Sequence, residues 1–309
     1  MGYVTQEHFQ VASRHFASYF KGKSKKVSID DDVCKYLEVG SDGNETILFL
    51  HGLGSNKSMW RSQMQGYCDF GYRRIAVDIP GACLEHSFES RKHSLNELGR
   101  WLDKIFDALN LENVHLVAHS TMTLLASYYA ATRQDKIISA SLISVPDIWS
   151  SSAMLPGGAI DNFRKAIDFK TVDDAIDFFN MMFLDPPTIP KALHRLSFNQ
   201  HKQHMDLFLR IIDEFTESAP LVMSHTRKVK CPLLIINGVH DPYSSDSFVN
   251  SLHWHFPAAQ VVTFSKSGHV PMLEQPVEVV GLHNEFIRHG CVRNIKGSQN
   301  YIHSSYSAG

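Results

Sequence analysis

The chain has 309 residues, with 30 Lys and Arg against 32 Asp and Glu and a formal charge of -2. That balance excludes a general electrostatic affinity for nucleic acid, and the length suits one large α/β domain with an insertion, or two domains. The five cysteines (Cys34, Cys68, Cys83, Cys231, Cys291) are odd in number, scattered and without a CxxC pair, so neither a disulfide framework nor a structural zinc site is expected, and a reducing, cytoplasmic setting follows.

No apolar run reaches the about 18 residues of a transmembrane helix, and the N-terminus carries no signal-peptide core. Residues 1–25 read as an N-terminal amphipathic helix with Phe9, Ala12, Phe16 and Tyr19 on one face. Lys21, Lys23, Lys25 and Lys26 follow. Such a helix packs on the core, or alternatively makes peripheral membrane contact with its lysines at anionic headgroups.

Strands and helices then alternate, which predicts a mostly parallel central sheet flanked by helices. Residues 26–40 form a hairpin around Asp30-Asp31-Asp32, and Thr46–Leu50 is a buried strand ending at His51-Gly52. Arg74–Val77 is a strand ending at Asp78-Ile79-Pro80-Gly81. A helix follows over 94–109, opened by a capping box of Ser94 and Glu97. Residues 114–118 are a strand and Ile137–Val145 is the next, the sixth. Alternation stops over 147–226 and resumes at Leu233–Ile236 and Gln260–Phe264, with a closing helix at 276–289. An insertion between parallel strands lies over the crevice at their carboxyl ends. The division is therefore a core of 26–146 and 227–290, a helical cap of 147–226 inserted after the sixth strand, and a flexible tail at 291–309.

Val114-His115-Leu116-Val117-Ala118-His119-Ser120 runs from a strand into a helix-prone segment. This is the form of a nucleophile elbow, in which a sharp turn lifts a serine hydroxyl above the sheet. The last small position of that pattern is occupied by Met122 and a further frequent glycine by Thr123. A serine needs a base with a pKa near the working pH, and the base needs an orienting acid. His269, after the last strand, is the base, and Asp241, after the preceding strand, is the acid. Asp147, after the strand before that, is an alternative acid, disfavoured because a Gly-x-x-Asp turn precedes Asp241. His51-Gly52-Leu53-Gly54 can bring a backbone close to the substrate, with the amides of Leu53 and Thr121 as oxyanion donors. This chemistry requires no metal and no cofactor.

The order Ser120, Asp241, His269, each after a strand, resembles the α/β-hydrolase superfamily over about residues 26–290. Within it, His51–Trp60, Asp78-Ile79-Pro80-Gly81 and the cap segment Met182–Pro190 resemble serine lipases and esterases related to monoacylglycerol lipases, including bacterial family V lipases. The resemblance implies an α/β-hydrolase fold and cleavage of a small-molecule carboxylic ester, short to medium in acyl chain and acylglycerols among them, through an acyl-enzyme on Ser120. Met122, Phe183 and Val270 are the expected substrate contacts.

Two alternatives stand beside this. The same triad serves carbon–carbon bond or lactone hydrolysis, whose carboxylate substrates call for a cap arginine, with Arg164, Arg195 and Arg210 as candidates. A non-catalytic ligand-binding protein on the same scaffold is the other. His253-Trp254-His255 is a surface pair rather than a metal site, and nothing in the sequence sets the oligomeric state.

Overall fold

The computed structural model describes residues 20–40, 44–67, 70–83, 93–148, 158–293 and 301–304. Residues 1–19 of the expected N-terminal amphipathic helix therefore lie outside the described residues; of 20–25, which are described, none is helical and the last three fall in a strand. That strand, β1 (Lys23–Ile29), pairs with β2 (Asp32–Val39) in an antiparallel hairpin. Lys25 forms an ion pair with Glu38 of β2.

β3 (Thr46–Leu50), β4 (Arg73–Val77), β5 (Val114–His119), β6 (Ile137–Ile143), β7 (Leu233–Gly238) and β8 (Ala259–Phe264) follow. With β9 (Tyr301–Ser304) they complete a nine-stranded sheet of order β1-β2-β4-β3-β5-β6-β7-β8-β9 among the described residues. From β4 to β8 the pairing is parallel. β3, β5 and β7 are buried at every residue, as expected of parallel strands covered on both faces.

The period of two along these strands divides the interior into two apolar layers. Leu48, Leu50, Leu116, Leu142 and Ile235 face one layer, and Ile47, Phe49, Val117, Leu234 and Ile236 face the other. The first layer is covered by α2 (Leu95–Ala108), α3 (Met122–Thr132) and the inner half of the long cap helix α6 (Lys191–Thr226). The second is covered by α1 (Arg61–Gly66) and α9 (Pro276–His289). The capping box at α2 forms: Glu97 N–H donates to Ser94 Oγ at 3.4 Å, and Ser94 N–H donates to Glu97 Oε2 at 3.1 Å.

The insertion after β6 contributes α4 (Ala159–Ile167), α5 (Val172–Met181) and α6. Leu207, Phe208, Ile211, Ile212 and Phe215 of α6 are buried, which anchors the cap to the core. After β7 come α7 (Asp246–His255), then β8, the short α8 (Pro271–Glu274) and α9. Within the segment read as a flexible tail, residues 301–304 form β9, which adds antiparallel to the edge of β8. A four-residue edge strand of Tyr-Ile-His-Ser is too short for its alternation to stand out from a polar tail. No helix among the described residues is long and apolar enough to cross a membrane.

Candidate active site

Ser120 stands between β5 and α3 with φ +55°, a left-handed conformation that costs a non-glycine residue roughly 1–2 kcal/mol. The turn is held on both sides. Ser120 N–H donates to Ile143 O of β6 at 2.9 Å. Its own carbonyl accepts from Thr123 N–H at 2.8 Å and from the Thr123 hydroxyl at 2.6 Å. Thr123, at a position where glycine is frequent, thus fastens the elbow with its side chain.

The carboxyl ends of β7 and β8 bring the other two residues to this serine. His269 Nε2 lies 2.9 Å from Ser120 Oγ. His269 Nδ1 lies 2.9 Å from both oxygens of Asp241, so it donates to the carboxylate and leaves Nε2 as the acceptor of the serine proton. Asp241 Oδ1 also accepts from Tyr243 N–H at 2.9 Å. All three residues are buried. Asp241, not Asp147, is the carboxylate on His269 Nδ1; the N–H of Asp147 donates to Tyr243 O.

His119 steadies this array from behind. Its Nε2–H donates to the His269 carbonyl at 2.9 Å, and the two rings are 4.9 Å apart. Burial, reinforced by the neighbouring His269, holds the His119 pKa well below the ordinary value, so it packs as a neutral ring.

The loop after β3 approaches the serine closely. A side chain at Gly52 would lie 3.0 Å from Ser120 Cβ and from His119 Nδ1, so any larger residue would press on the serine and the histidine beside it. Leu53 N–H donates to Thr121 Oγ1 at 3.1 Å, which keeps this amide satisfied at rest. The Thr121 amide belongs to the first turn of α3, where N–H groups have no intrahelical partner. The loop is clamped from below by a buried ion pair. Lys57 Nζ is 2.6 Å from Asp78 Oδ2, and Lys57 N–H donates to Asp78 Oδ1 at 2.9 Å.

His51, Asp78 and Cys83 place potential metal-ligating atoms within 4.8 Å of one another. His51 Nδ1 lies 2.8 Å from Gly52 O and Nε2 accepts from Ile79 N–H at 3.0 Å. Both Asp78 oxygens are taken by Lys57. The set is satisfied internally and fits a structural role rather than a metal.

Two cavities meet at Ser120. The larger, about 210 Å³, lies under the cap. Its wall is mostly apolar, with Phe163, Phe169, Phe178, Phe179, Phe183, Phe208 and Val270, and it reaches Leu53 and His269. The smaller, about 20 Å³, is lined by Thr121, Asp147, Phe163, Phe215 and Tyr243 among others. Phe183 and Val270 thus lie where substrate contacts were expected.

Met122 does not. It is completely buried in the apolar layer shared with α2 and α6 and lines neither cavity. The elbow directs residue 120 to the site and residue 122, the first of α3, into the core. The cap arginines are also absent from both walls. Arg164 pairs with Asp213, and Arg195 and Arg210 are exposed.

Sequence reasoning missed Glu274. Its Oε2 accepts from Ser267 Oγ and Gly268 N–H, each at 2.7 Å, and its Oε1 accepts from Leu184 N–H at 2.7 Å. His269 N–H in turn donates to Met182 O at 2.8 Å. The cap segment 182–184 is therefore stitched to the histidine loop. An acidic residue in the first turn of a four-residue helix is an ordinary sight, and its partner at Leu184 is distant in sequence, so no local signal marks it.

Comparison with known proteins agrees with this architecture. The sequence pattern of the family described as alpha/beta hydrolase fold matches residues 45–276, and the chain belongs to that family. Lipase 1 of Psychrobacter immobilis is 24% identical over 250 residues, covering 79% of this chain and 77% of that one. A 2-hydroxy-6-oxononadienedioate/2-hydroxy-6-oxononatrienedioate hydrolase of Paraburkholderia phymatum is 23% identical over 241 residues, covering 76% and 83%. The crystal structure of a membrane phospholipase A, described as a bacterial virulence factor, superposes with a TM-score of 0.77 at 21% identity, covering 91% of this chain and 94% of that one. At that identity the superposition speaks for the fold.

Proposed function

We propose that the protein hydrolyses carboxylic esters through an acyl-enzyme on Ser120. The observation that carries this reading is the unbroken array Ser120–His269–Asp241, with 2.9 Å contacts, opening into an apolar cavity beside the Leu53 amide. Ser120 Oγ attacks the ester carbonyl while its proton passes to His269 Nε2. Asp241 stabilises the imidazolium through Nδ1–H. The negative charge that develops on the carbonyl oxygen is met by the amides of Leu53 and Thr121, and the resting Leu53–Thr121 bond gives way to it. The tetrahedral intermediate collapses, the proton on Nε2 passes to the departing alcohol, and water attacks the acyl-enzyme by the same route in reverse.

The aromatic and aliphatic wall suits short to medium acyl chains, acylglycerols included. Relatives named as lipases support the same class. Another relative is named as a hydrolase of dienedioates and trienedioates; carbon–carbon hydrolysis of such a dicarboxylate calls for a cation to meet it, and neither cavity wall carries an arginine or lysine.

The test is hydrolysis of p-nitrophenyl esters of graded chain length by the native protein beside Ser120→Ala. The expected outcome is activity in the native protein, greatest at short to medium chains, and a fall of about 10⁴-fold or more in kcat for Ser120→Ala. Equal rates in the two proteins would refute the assignment. Activity on a dienone ring-fission product with none on esters would transfer the triad to the carbon–carbon reading.

A further inference from the structure

The cavity wall combines the phenylalanines with polar residues at its rim, Asn56 and Ser58 of the loop after β3 and His194, Ser197 and His201 of α6 among them, and of these His201 is held in the most apolar surroundings. This ring is 6% exposed. It is stacked on Phe169 with centroids 4.3 Å apart and set against the edge of Phe208 at 5.0 Å, so it cannot turn freely. Its Nε2 lies 3.1 Å from Ile167 O. A carbonyl only accepts, so Nε2 carries the hydrogen. Burial lowers the His201 pKa to about 4, and the ring is neutral near pH 7, with Nδ1 as a bare acceptor. Nδ1 makes no hydrogen bond among the described residues.

That acceptor faces the site. A side chain at Gly54 would lie 3.6 Å from His201 Nδ1 and Cε1. Gly54 is the neighbour of Leu53, and both line the cavity with His201 and Ser120. The space left by the missing side chain is thus bounded by the oxyanion loop on one side and an unpartnered nitrogen on the other. An apolar chain gains nothing from that nitrogen and must strip its water. A hydroxyl replaces the water bond for bond.

We infer that His201 Nδ1 is a specificity element that accepts a hydrogen bond from a hydroxyl on the substrate, so that the preferred esters carry a hydroxyl in the portion filling the larger cavity. This rests on the ester-hydrolase reading and narrows its substrate class. The hydroxyl has two sources, the alcohol half, as in a monoacylglycerol, or the acyl half, as in a hydroxy acid.

Three esters separate them: methyl octanoate, monooctanoylglycerol and methyl β-hydroxyoctanoate, assayed with native protein, His201→Phe and Ser120→Ala. In the native protein at least one hydroxylated ester should exceed methyl octanoate in kcat/KM. In His201→Phe, which keeps the stack on Phe169, the ratio of kcat/KM on that hydroxylated ester to kcat/KM on methyl octanoate should fall by about tenfold. The hydroxylated ester that responds assigns the cavity to the alcohol or the acyl half. A native-protein comparison needs no variant: O-methylation of the responding hydroxyl should cost about the same factor. Equal losses on all three esters, or no loss on either hydroxylated one, would overturn the inference. Full activity in Ser120→Ala would overturn the ester reading itself, a result distinguishable from the others.

Discussion

At the scale of single residues, the elbow shows how two departures from its usual pattern are accommodated. Thr123 serves the turn with its hydroxyl on the Ser120 carbonyl. Met122 serves the core. Deleting a buried side chain of this size costs about 2–5 kcal/mol. Met122→Ala should therefore lower stability by about 3 kcal/mol in denaturant titration while leaving the order of preference among ester chain lengths unchanged. A shifted chain-length optimum would return Met122 to the substrate pocket. The sequence could not decide this, because nearly every residue of α3 is buried. A helix that is apolar all round has no polar face from which to read direction. Ser120, Asp241 and His269 were legible for the opposite reason. Each follows a strand, and parallel strands deliver their carboxyl ends to one edge.

At the scale of elements, the site depends on two loops held from outside it. The Lys57–Asp78 pair clamps the loop that carries Leu53. Removing one partner of a buried pair leaves a charge without compensation and costs about 3–5 kcal/mol. Asp78→Ala should unfold at a correspondingly lower denaturant concentration, and an unfolding free energy within about 1 kcal/mol of native would show that the clamp contributes little. The strap through Glu274 joins cap residues 182–184 to the histidine loop. Glu274→Ala should cut kcat/KM on esters by about tenfold, the scale of a lost charged hydrogen bond, with the far-ultraviolet spectrum of the native protein. Unchanged kinetics would make the strap structural only. Both devices join residues far apart in sequence, and neither has a local pattern. The short strand β9 escaped for a related reason: its place is set by the free edge of β8.

For the molecule as a whole, sensitivity to acid follows from buried neutral histidines. The pKa of His201 is lowered to about 4 and that of His283 to about 3, both chiefly by burial. In the unfolded chain such groups take up protons below pH 6.5, whereas in the folded protein they do not until the lowered pKa is reached. The unfolded state then binds more protons, so stability falls as pH drops from 6.5 toward 4. For His201 the shift corresponds to about 3 kcal/mol across that window. Urea titrations at pH 7 and pH 4 should show His201→Phe losing less stability on acidification than the native protein, and equal losses would remove His201 from the acid transition.

The fold, the helical insertion and the meeting of Ser120, Asp241 and His269 were readable because alternating elements and strand-end residues are properties of local sequence. The contents of the cavity were not, because six phenylalanines and four histidines from several elements of the cap and core meet only in the folded chain.

The most direct test of the account is labelling of the folded protein with a fluorophosphonate, which reacts only with an activated serine. One phosphonyl group per chain is expected, located on Ser120 by mass spectrometry and abolished in His269→Ala. No labelling of folded protein, or labelling of another residue with Ser120 intact, would contradict it.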